Sequence, residues 1–231
     1  MAEPVDNSRR SAIGILAYGS LKADPGVEIH PLVIDRIETL TPFPAEYARP
    51  SATRGGAPTV VPYSIGHQVK AKVLILTEAV SLTEAHNLLW RRETRNEHSE
   101  KFYRESPKPN AVVVRDLFDF GGVAHVLYTD FNPQGKITDP EPKSLARVTI
   151  ESVGRAQAGK DGISYLGSSR DRVGNFCSFF DQIRGGIHVR IFKRRYSSSR
   201  SPYARRWMTR ILLFKPSAKG GSHPCWEELA S

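Results

Sequence analysis

The sequence predicts an α+β fold, a small mixed β-barrel that is closed or nearly closed and has helices packed outside it. Strands and helices mix without the regular βαβ alternation of a doubly wound sheet, and several strands follow one another through short loops that contain Gly or Pro. The predicted strands lie near residues 12–17, 32–38, 58–63, 68–76, 111–118 and 122–130. The predicted helices lie near residues 82–95, 142–157 and 169–183.

The first predicted strand is an apolar run from Ala12 to Ala17, which ends at Tyr18-Gly19-Ser20-Leu21. A strand that breaks at Gly-Ser leaves backbone N–H groups free, and small residues let a ligand approach the main chain. Such a turn can hold a carboxylate or a developing oxyanion. The alternative interpretation is an ordinary turn from a strand into a loop.

The helix near 82–95 has a recognisable start. Ser81 and Glu84 form a capping box, in which Ser81 caps the helix and Glu84 reaches back to it. The apolar stripe of this helix contains Leu82, Ala85 and Leu89. These spacings predict that one helix face packs against the core.

Glu93 is the next residue on that apolar stripe. At about 100° per residue, Glu93 lies only about 20° from Leu82 after three turns. A carboxylate on a core-facing stripe is usually ion-paired, protonated or functional. Arg91, Arg92 and Arg95 are close enough in sequence to supply a partner, so a structural salt bridge at the helix end is the alternative to a functional acid.

Together, the loop and the acidic helix end resemble the γ-glutamylcyclotransferase family, including its glutathione-degrading ChaC-like branch. Members of that family have a Tyr-Gly-Ser-Leu or Tyr-Gly-Ser-Asn loop after the first strand, matched here by Tyr18 to Leu21. They also have an essential glutamate that often follows an arginine at a helix end, matched by Arg92-Glu93. Weaker matches are Gly56 to Pro62 and Gly159 to Leu166, so the resemblance covers about residues 13–166.

The chain departs from the ChaC-like branch at two places. Residues 94–98 are Thr-Arg-Asn-Glu-His, where that branch continues with glycines and an aromatic residue, and Asp161-Gly162 replaces its Asn and the residue after it. A γ-glutamyl amine other than glutathione would use the same catalytic residues. The sequence therefore leaves the amine side of the substrate open.

The resemblance implies a reaction as well as a fold. The α-amine of a small-molecule γ-glutamyl substrate attacks its own γ-carbonyl, and 5-oxoproline and an amine are released. The resemblance assigns the acid/base role to Glu93 and substrate binding to the loop Tyr18, Gly19, Ser20 and Leu21, with Tyr165 as a hydroxyl near the glutamate. A buried structural tyrosine is the alternative for Tyr165. The reaction requires neither a metal nor an organic cofactor.

Composition and length indicate one globular domain with extensions. The 231 residues are 39% apolar and 25% charged, and we divide them into a flexible N-terminus (1–10), a cyclotransferase-like domain (11–183) and a basic C-terminal extension (184–231). No apolar run approaches the length that spans a bilayer, and the first ten residues do not resemble a signal peptide. With Cys177 and Cys225 as the two cysteines and seven scattered histidines, we expect a cytoplasmic protein without a metal site.

The basic extension supports a competing function. The formal net charge is +9, and residues 184–219 contain eleven Lys and Arg residues and no Asp or Glu. Tyr196, Tyr203 and Trp207 are interleaved with these cations, as in proteins that bind nucleic acid. The alternative to an enzyme is therefore a non-catalytic cyclotransferase-fold protein whose extension binds nucleic acid or an acidic partner. Residues 187–192 and 211–214 are predicted as strands of a hairpin in this extension.

Overall fold

The computed structural model describes residues 12–157 and 159–168, and the backbone of three short strands in the C-terminal extension. The predicted N-terminal segment 1–10 and the predicted helix 169–183 lie outside the described residues. The strands are β1 (Ile13–Ala17), β2 (Val33–Leu40), β3 (Ala45–Pro50), β4 (Pro58–Pro62), β5 (Lys70–Leu76), β6 (Val112–Phe120), β7 (Val123–Phe131), β8 (Arg190–Arg195), β9 (Trp207–Phe214) and β10 (Trp226–Glu228). The helices are α1 (Ser20–Ala23), α2 (Leu82–Thr94), α3 (Pro142–Glu151) and α4 (Gly162–Ser168).

Five strands form one mixed sheet in the order β2-β5-β1-β7-β6. The central strand β1 is antiparallel to β5 and parallel to β7. The strands β3 and β4 pair with each other in a separate antiparallel ribbon. The α+β class is confirmed, but the prediction of a closed or nearly closed barrel is wrong for the described residues. The ribbon contains Pro50, Pro58 and Pro62, which have no N–H group to extend a ladder into the sheet.

Both faces of the five-stranded sheet are covered. On one face, α2 packs its Ala85, Leu88 and Leu89 against Ile15, Leu74, Leu76 and Leu127 of the sheet. On the other face, Leu16, Val73 and Ile75 pack with Tyr47 of the ribbon, Leu145 of α3 and Tyr165 of α4. The central strands are therefore buried on both sides.

Of the strands and α-helices, β3, β10, α1 and α4 were not predicted, and α3 was predicted too long. β3 carries a buried Glu46 and ends at a proline, so its pattern does not resemble that of a strand. α1 and α4 are short, and α4 begins where the Asp161 carboxylate accepts hydrogen bonds from the Ser164 N–H (2.9 Å) and hydroxyl (2.8 Å). α3 ends at Glu151, where a 3₁₀ turn over Ser152–Gly154 follows, instead of continuing to residue 157.

Half of the predicted capping box of α2 is present. The Ser81 hydroxyl accepts a hydrogen bond from the Glu84 N–H at 3.2 Å. The Glu84 carboxylate does not reach back to the helix start; it accepts a hydrogen bond from Arg91 Nη2 at 2.8 Å. The helix ends at Thr94, because Arg95 adopts a left-handed conformation with φ 57°.

We expect Ser81→Ala to lower the free energy of unfolding by about 1 kcal/mol, because an N–H group of the first turn of α2 loses its acceptor. Denaturant unfolding of the purified protein measures this change. Thr83→Ala, at an exposed position in the same turn, is the control and should not destabilise the protein. Equal stability of the Ser81→Ala variant and the wild type would contradict the capping role.

The C-terminal extension contains the predicted hairpin at the level of backbone pairing. β8 is antiparallel to β9, with Arg190 opposite Leu212 and Arg195 opposite Trp207, and β10 pairs with the other edge of β9. The first strand covers residues 190–195 rather than 187–192.

Among the described helices, none combines the length and apolar character that crossing a bilayer requires.

Candidate active site

Tyr18 fixes the end of β1 in the protein interior. Its side chain is buried, and its hydroxyl donates a hydrogen bond to the carbonyl of Thr129 on β7 at 2.5 Å. Burial raises the pKa of Tyr18 well above its usual value, and the negative charge of Glu93 raises it further. The hydroxyl is therefore protonated and already has a partner, so Tyr18 positions the loop that follows it.

Gly19 has a backbone conformation that other residues rarely adopt, with φ 55° and ψ −129°. A Cβ atom at this position would lie 3.0 Å from the hydroxyl oxygen of Tyr165. Both observations require a glycine here. The predicted loop and the predicted Tyr165 are thus in direct proximity, although almost 150 residues separate them in sequence.

Ser20 and Leu21 begin α1 and are not part of an extended loop. The N–H groups of a first helical turn have no acceptor within the helix, so they can bind a ligand as the sequence predicts. The Leu21 side chain is 3% exposed and packs in the core on the α2 side of the sheet. Leu21 can therefore contribute only its main chain to a binding site.

Glu93 lies near this loop at the C-terminal end of α2, and its side chain is 17% exposed. Its carboxylate accepts a hydrogen bond from Arg92 Nη1 at 2.5 Å. The same Nη1 atom is 3.5 Å from the Ser20 hydroxyl, and Nη2 donates to the carbonyl of Asp24 at 2.5 Å. The Arg92 guanidinium therefore connects the predicted catalytic acid to the predicted substrate loop.

Of the three arginines that the sequence offered as partners of Glu93, Arg92 forms the ion pair. Arg91 is directed away and binds the carboxylates of Glu28 (3.0 Å) and Glu84 (2.8 Å). The Arg95 side chain is exposed and forms no hydrogen bond or ion pair with a described residue. The salt-bridge interpretation of Glu93 is thus present in the geometry, and the same arginine connects Glu93 to the loop.

The Tyr165 side chain is buried, and its hydroxyl lies beside Gly19. Burial raises the pKa of Tyr165, and the Glu93 carboxylate raises it further, whereas Arg54 and Arg92 lower it. Its hydroxyl is therefore protonated and close enough to Glu93 to be influenced by its charge. Tyr165 contributes both to the core and to the site.

Arg49, on β3, was not singled out from the sequence. Its guanidinium lies 3.6 Å from the centre of the Phe131 ring and forms no hydrogen bond or ion pair with a described residue. Burial lowers the pKa of Arg49, and the opposing charge of Glu93 raises it. Its Nε atom is buried without a partner among the described residues. Arg49 thus adds a second cation near Glu93 that no described residue neutralises through an ion pair.

Arg54 was also missed. Its guanidinium lies 4.2 Å from the centre of the Tyr165 ring and has no hydrogen-bond or ion-pair partner in the described part of the chain. Burial lowers the pKa of Arg54, and the positive charges of Arg95 and Arg92 lower it further. The only sequence signal for Arg49 and Arg54 was that both lie in residues 45–62, where Glu46 is the one other charged residue.

Two other features lie outside this cluster. An open surface cavity of about 510 Å³ is lined by Phe43, Tyr63, Lys136 and several prolines, and contains none of the predicted site residues. The Lys136 ammonium there is already bound by the Asp130 carboxylate and the Pro62 carbonyl. No group of three or more potential metal ligands occurs within residues 12–157 and 159–168.

Comparison of the chain with protein-family models, with curated proteins and with solved structures finds no match. The resemblance to the γ-glutamylcyclotransferase family therefore remains a prediction from the two motifs. The geometry adds one fact to it. The two motifs are adjacent in space, because Arg92 of the second motif contacts Ser20 of the first and also binds Glu93.

Proposed function

We propose that the protein is a γ-glutamylcyclotransferase-like enzyme, which cyclises the γ-glutamyl arm of a small amide and releases 5-oxoproline and an amine. The observation that carries this proposal is the Arg92 bridge between the Glu93 carboxylate and Ser20. It places a partly buried carboxylate beside a glycine turn followed by the first turn of a helix. These are the components that the reaction requires, a proton acceptor and donors for negative charge.

Glu93 would transfer protons between two nitrogen atoms. Its carboxylate takes a proton from the α-ammonium group, and the freed amine attacks the γ-carbonyl carbon. As the ring C–N bond forms and the bond to the departing nitrogen breaks, the attacking nitrogen loses a second proton. The departing nitrogen gains two protons in all and leaves as an ammonium ion. The bridging Arg92 would hold the Glu93 carboxylate beside the loop, where it can accept the first proton.

The remaining groups would bind and orient the substrate. The N–H groups of the Gly19 to Leu21 segment would hold the α-carboxylate or the tetrahedral oxyanion, and the nearby positive charge of Arg49 would favour either anion. Holding the arm in its folded geometry makes the attack intramolecular, which supplies a large part of the rate enhancement. In this proposal the open mixed sheet, rather than a closed barrel, would carry the cyclotransferase site.

The direct test is to incubate the purified protein with a panel of γ-glutamyl compounds and to detect 5-oxoproline by mass spectrometry. The panel should include glutathione, γ-glutamyl amino acids and neutral γ-glutamyl amides. We expect 5-oxoproline from at least one of them, which would also identify the amine side of the substrate. No 5-oxoproline from any member of the panel, with folded protein, would contradict the proposal.

The competing function, nucleic-acid binding by the basic extension, is supported by the eleven cations of residues 184–219. Each phosphate that such a protein neutralises releases a counterion, so affinity must fall steeply with salt. We expect weak, salt-sensitive binding of RNA and DNA by the intact chain and a loss of solubility or stability on truncation after Asp181. Submicromolar binding at physiological salt that is lost in a soluble, truncated protein would favour the binding function instead.

A further inference from the structure

Arg54 is a half-buried cation that forms no ion pair with a described residue. It stands on a tight turn between β3 and β4, in which the Ser51 N–H donates to the Ala57 carbonyl (2.9 Å) and the Ala57 N–H donates to the Arg54 carbonyl (3.2 Å). A Cβ atom on Gly55 would lie 2.7 Å from the Ser152 carbonyl oxygen, so the turn packs closely against the segment after α3. The backbone of Arg54 is thus fixed, and its guanidinium rests on the Tyr165 ring.

Among the charged groups that act on Arg54, two are positive and one is negative. Arg92, which is paired with Glu93, and Arg95 disfavour the charge on Arg54, whereas the Asp161 carboxylate favours it. Arg54 and Arg95 form no ion pair with a described residue. Keeping like charges together at a partly desolvated position costs free energy. A ligand with a negative charge would offset this cost, and planar guanidinium groups bind carboxylate and phosphate groups in a bidentate manner.

The position of Arg54 relative to the candidate active site limits what that anion can be. Arg54 is separated from Gly19 by the side chain of Tyr165, whose hydroxyl faces the glycine and whose ring faces the guanidinium. Arg92 and Arg49 are the cations on which the Glu93 carboxylate acts, through an ion pair and through its charge respectively. Arg54 is therefore a further cation, with the Tyr165 side chain between it and Gly19.

We propose that Arg54 forms a subsite for an acidic group on the departing amine, so that the enzyme prefers γ-glutamyl substrates whose amine side carries a carboxylate or phosphonate-like group over neutral γ-glutamyl amides. This inference rests on the proposed function, because it takes the γ-glutamyl arm to occupy the loop beside Glu93. Arg54 acts here on specificity and not on the chemical step.

The test compares two ligands that differ in one charge, γ-glutamylglycine and γ-glutamylglycinamide, with γ-glutamyl-aminomethylphosphonate as a third ligand that separates carboxylate from phosphonate recognition. Calorimetric binding to the Glu93→Gln variant measures affinity without turnover. We expect γ-glutamylglycine to bind about tenfold to a hundredfold more tightly than the glycinamide, as for a charge-assisted hydrogen bond. In the double variant Glu93→Gln/Arg54→Gln, the affinities for γ-glutamylglycine and γ-glutamylglycinamide should differ by no more than about threefold.

Two further variants make the result specific. Arg36→Gln removes the same charge from an exposed position on β2 and should keep the discrimination, whereas Arg54→Lys should keep only part of it, because Lys retains the charge but not the planar fork. Equal affinity for the acid and the amide, or an unchanged ratio after Arg54→Gln in a variant that melts normally, would overturn the subsite. An absence of turnover in the wild type would overturn the proposed function, while the binding ratio would still decide the subsite.

Discussion

Glu93→Gln should reduce 5-oxoproline formation by about 10² to 10⁴-fold while leaving folding and substrate binding largely intact. The substitution keeps the size of the side chain and its position beside Arg92, but the amide cannot accept a proton from the substrate ammonium group. Product formation under saturating substrate, measured by mass spectrometry, gives the rate. Thermal melting and calorimetric substrate binding measure whether the rest of the site is preserved.

Glu100→Gln is the matched control for this experiment. Glu100 is an exposed acid seven residues further along the chain, so its loss changes the net charge equally without touching the loop. We expect wild-type rates from it. If Glu93→Gln retains turnover within about tenfold of the wild type, Glu93 is a structural ion-pair partner of Arg92 and the acid/base mechanism is wrong.

Gly19→Val should abolish the stabilisation of the protein by ligand. The wild-type protein should melt at a higher temperature with 5-oxoproline or a γ-glutamyl compound, by an amount equivalent to about 2.7 kcal/mol at a hundred times the dissociation constant. A valine at φ 55° is strained, and its Cβ atom would already meet the Tyr165 hydroxyl at 3.0 Å before the two branches are added. The loop would have to move away from the ligand.

Gly121→Val separates backbone strain from the loss of a binding site. Gly121 also has a positive φ of 62°, but it lies in the turn between β6 and β7, and a Cβ atom there would contact nothing. This variant should lose stability yet keep the full ligand-induced increase in melting temperature. An unchanged increase in Gly19→Val would mean that the segment after β1 is an ordinary turn.

Local patterns in the sequence predicted a large part of the fold. The apolar run before Tyr18 is β1, and the residues Val69, Ala71, Val73 and Ile75 are buried around β5. Ser81 caps α2, whose stripe packs on the sheet and leads to Glu93. These features depend on neighbours within one or two turns or on strand alternation, so the chain encodes them without reference to distant segments.

Long-range packing decided the rest. The sequence placed Arg91, Arg92 and Arg95 equally near Glu93, and only the folded position of Ser20 and Asp24 beside the helix end determined that Arg92 forms the bridge. The closed or nearly closed barrel was predicted from consecutive strands joined by short loops, whereas the proline-containing ribbon of β3 and β4 stays separate from the sheet.

By itself, the sequence determined the end of β1 before Tyr18 and Gly19, the helix that carries Glu93 in its last turn and the apolar face of that helix, because each of these follows from residues that are close together in the chain. Only the tertiary structure determined that Tyr165 meets Gly19 and that Arg49 and Arg54 lie beside the same cluster without partners among the described residues. The residues that neighbour an arginine in the sequence do not show which group will pair with it in the fold. Whether its charge is neutralised depends on carboxylates and rings that reach it from other strands and helices.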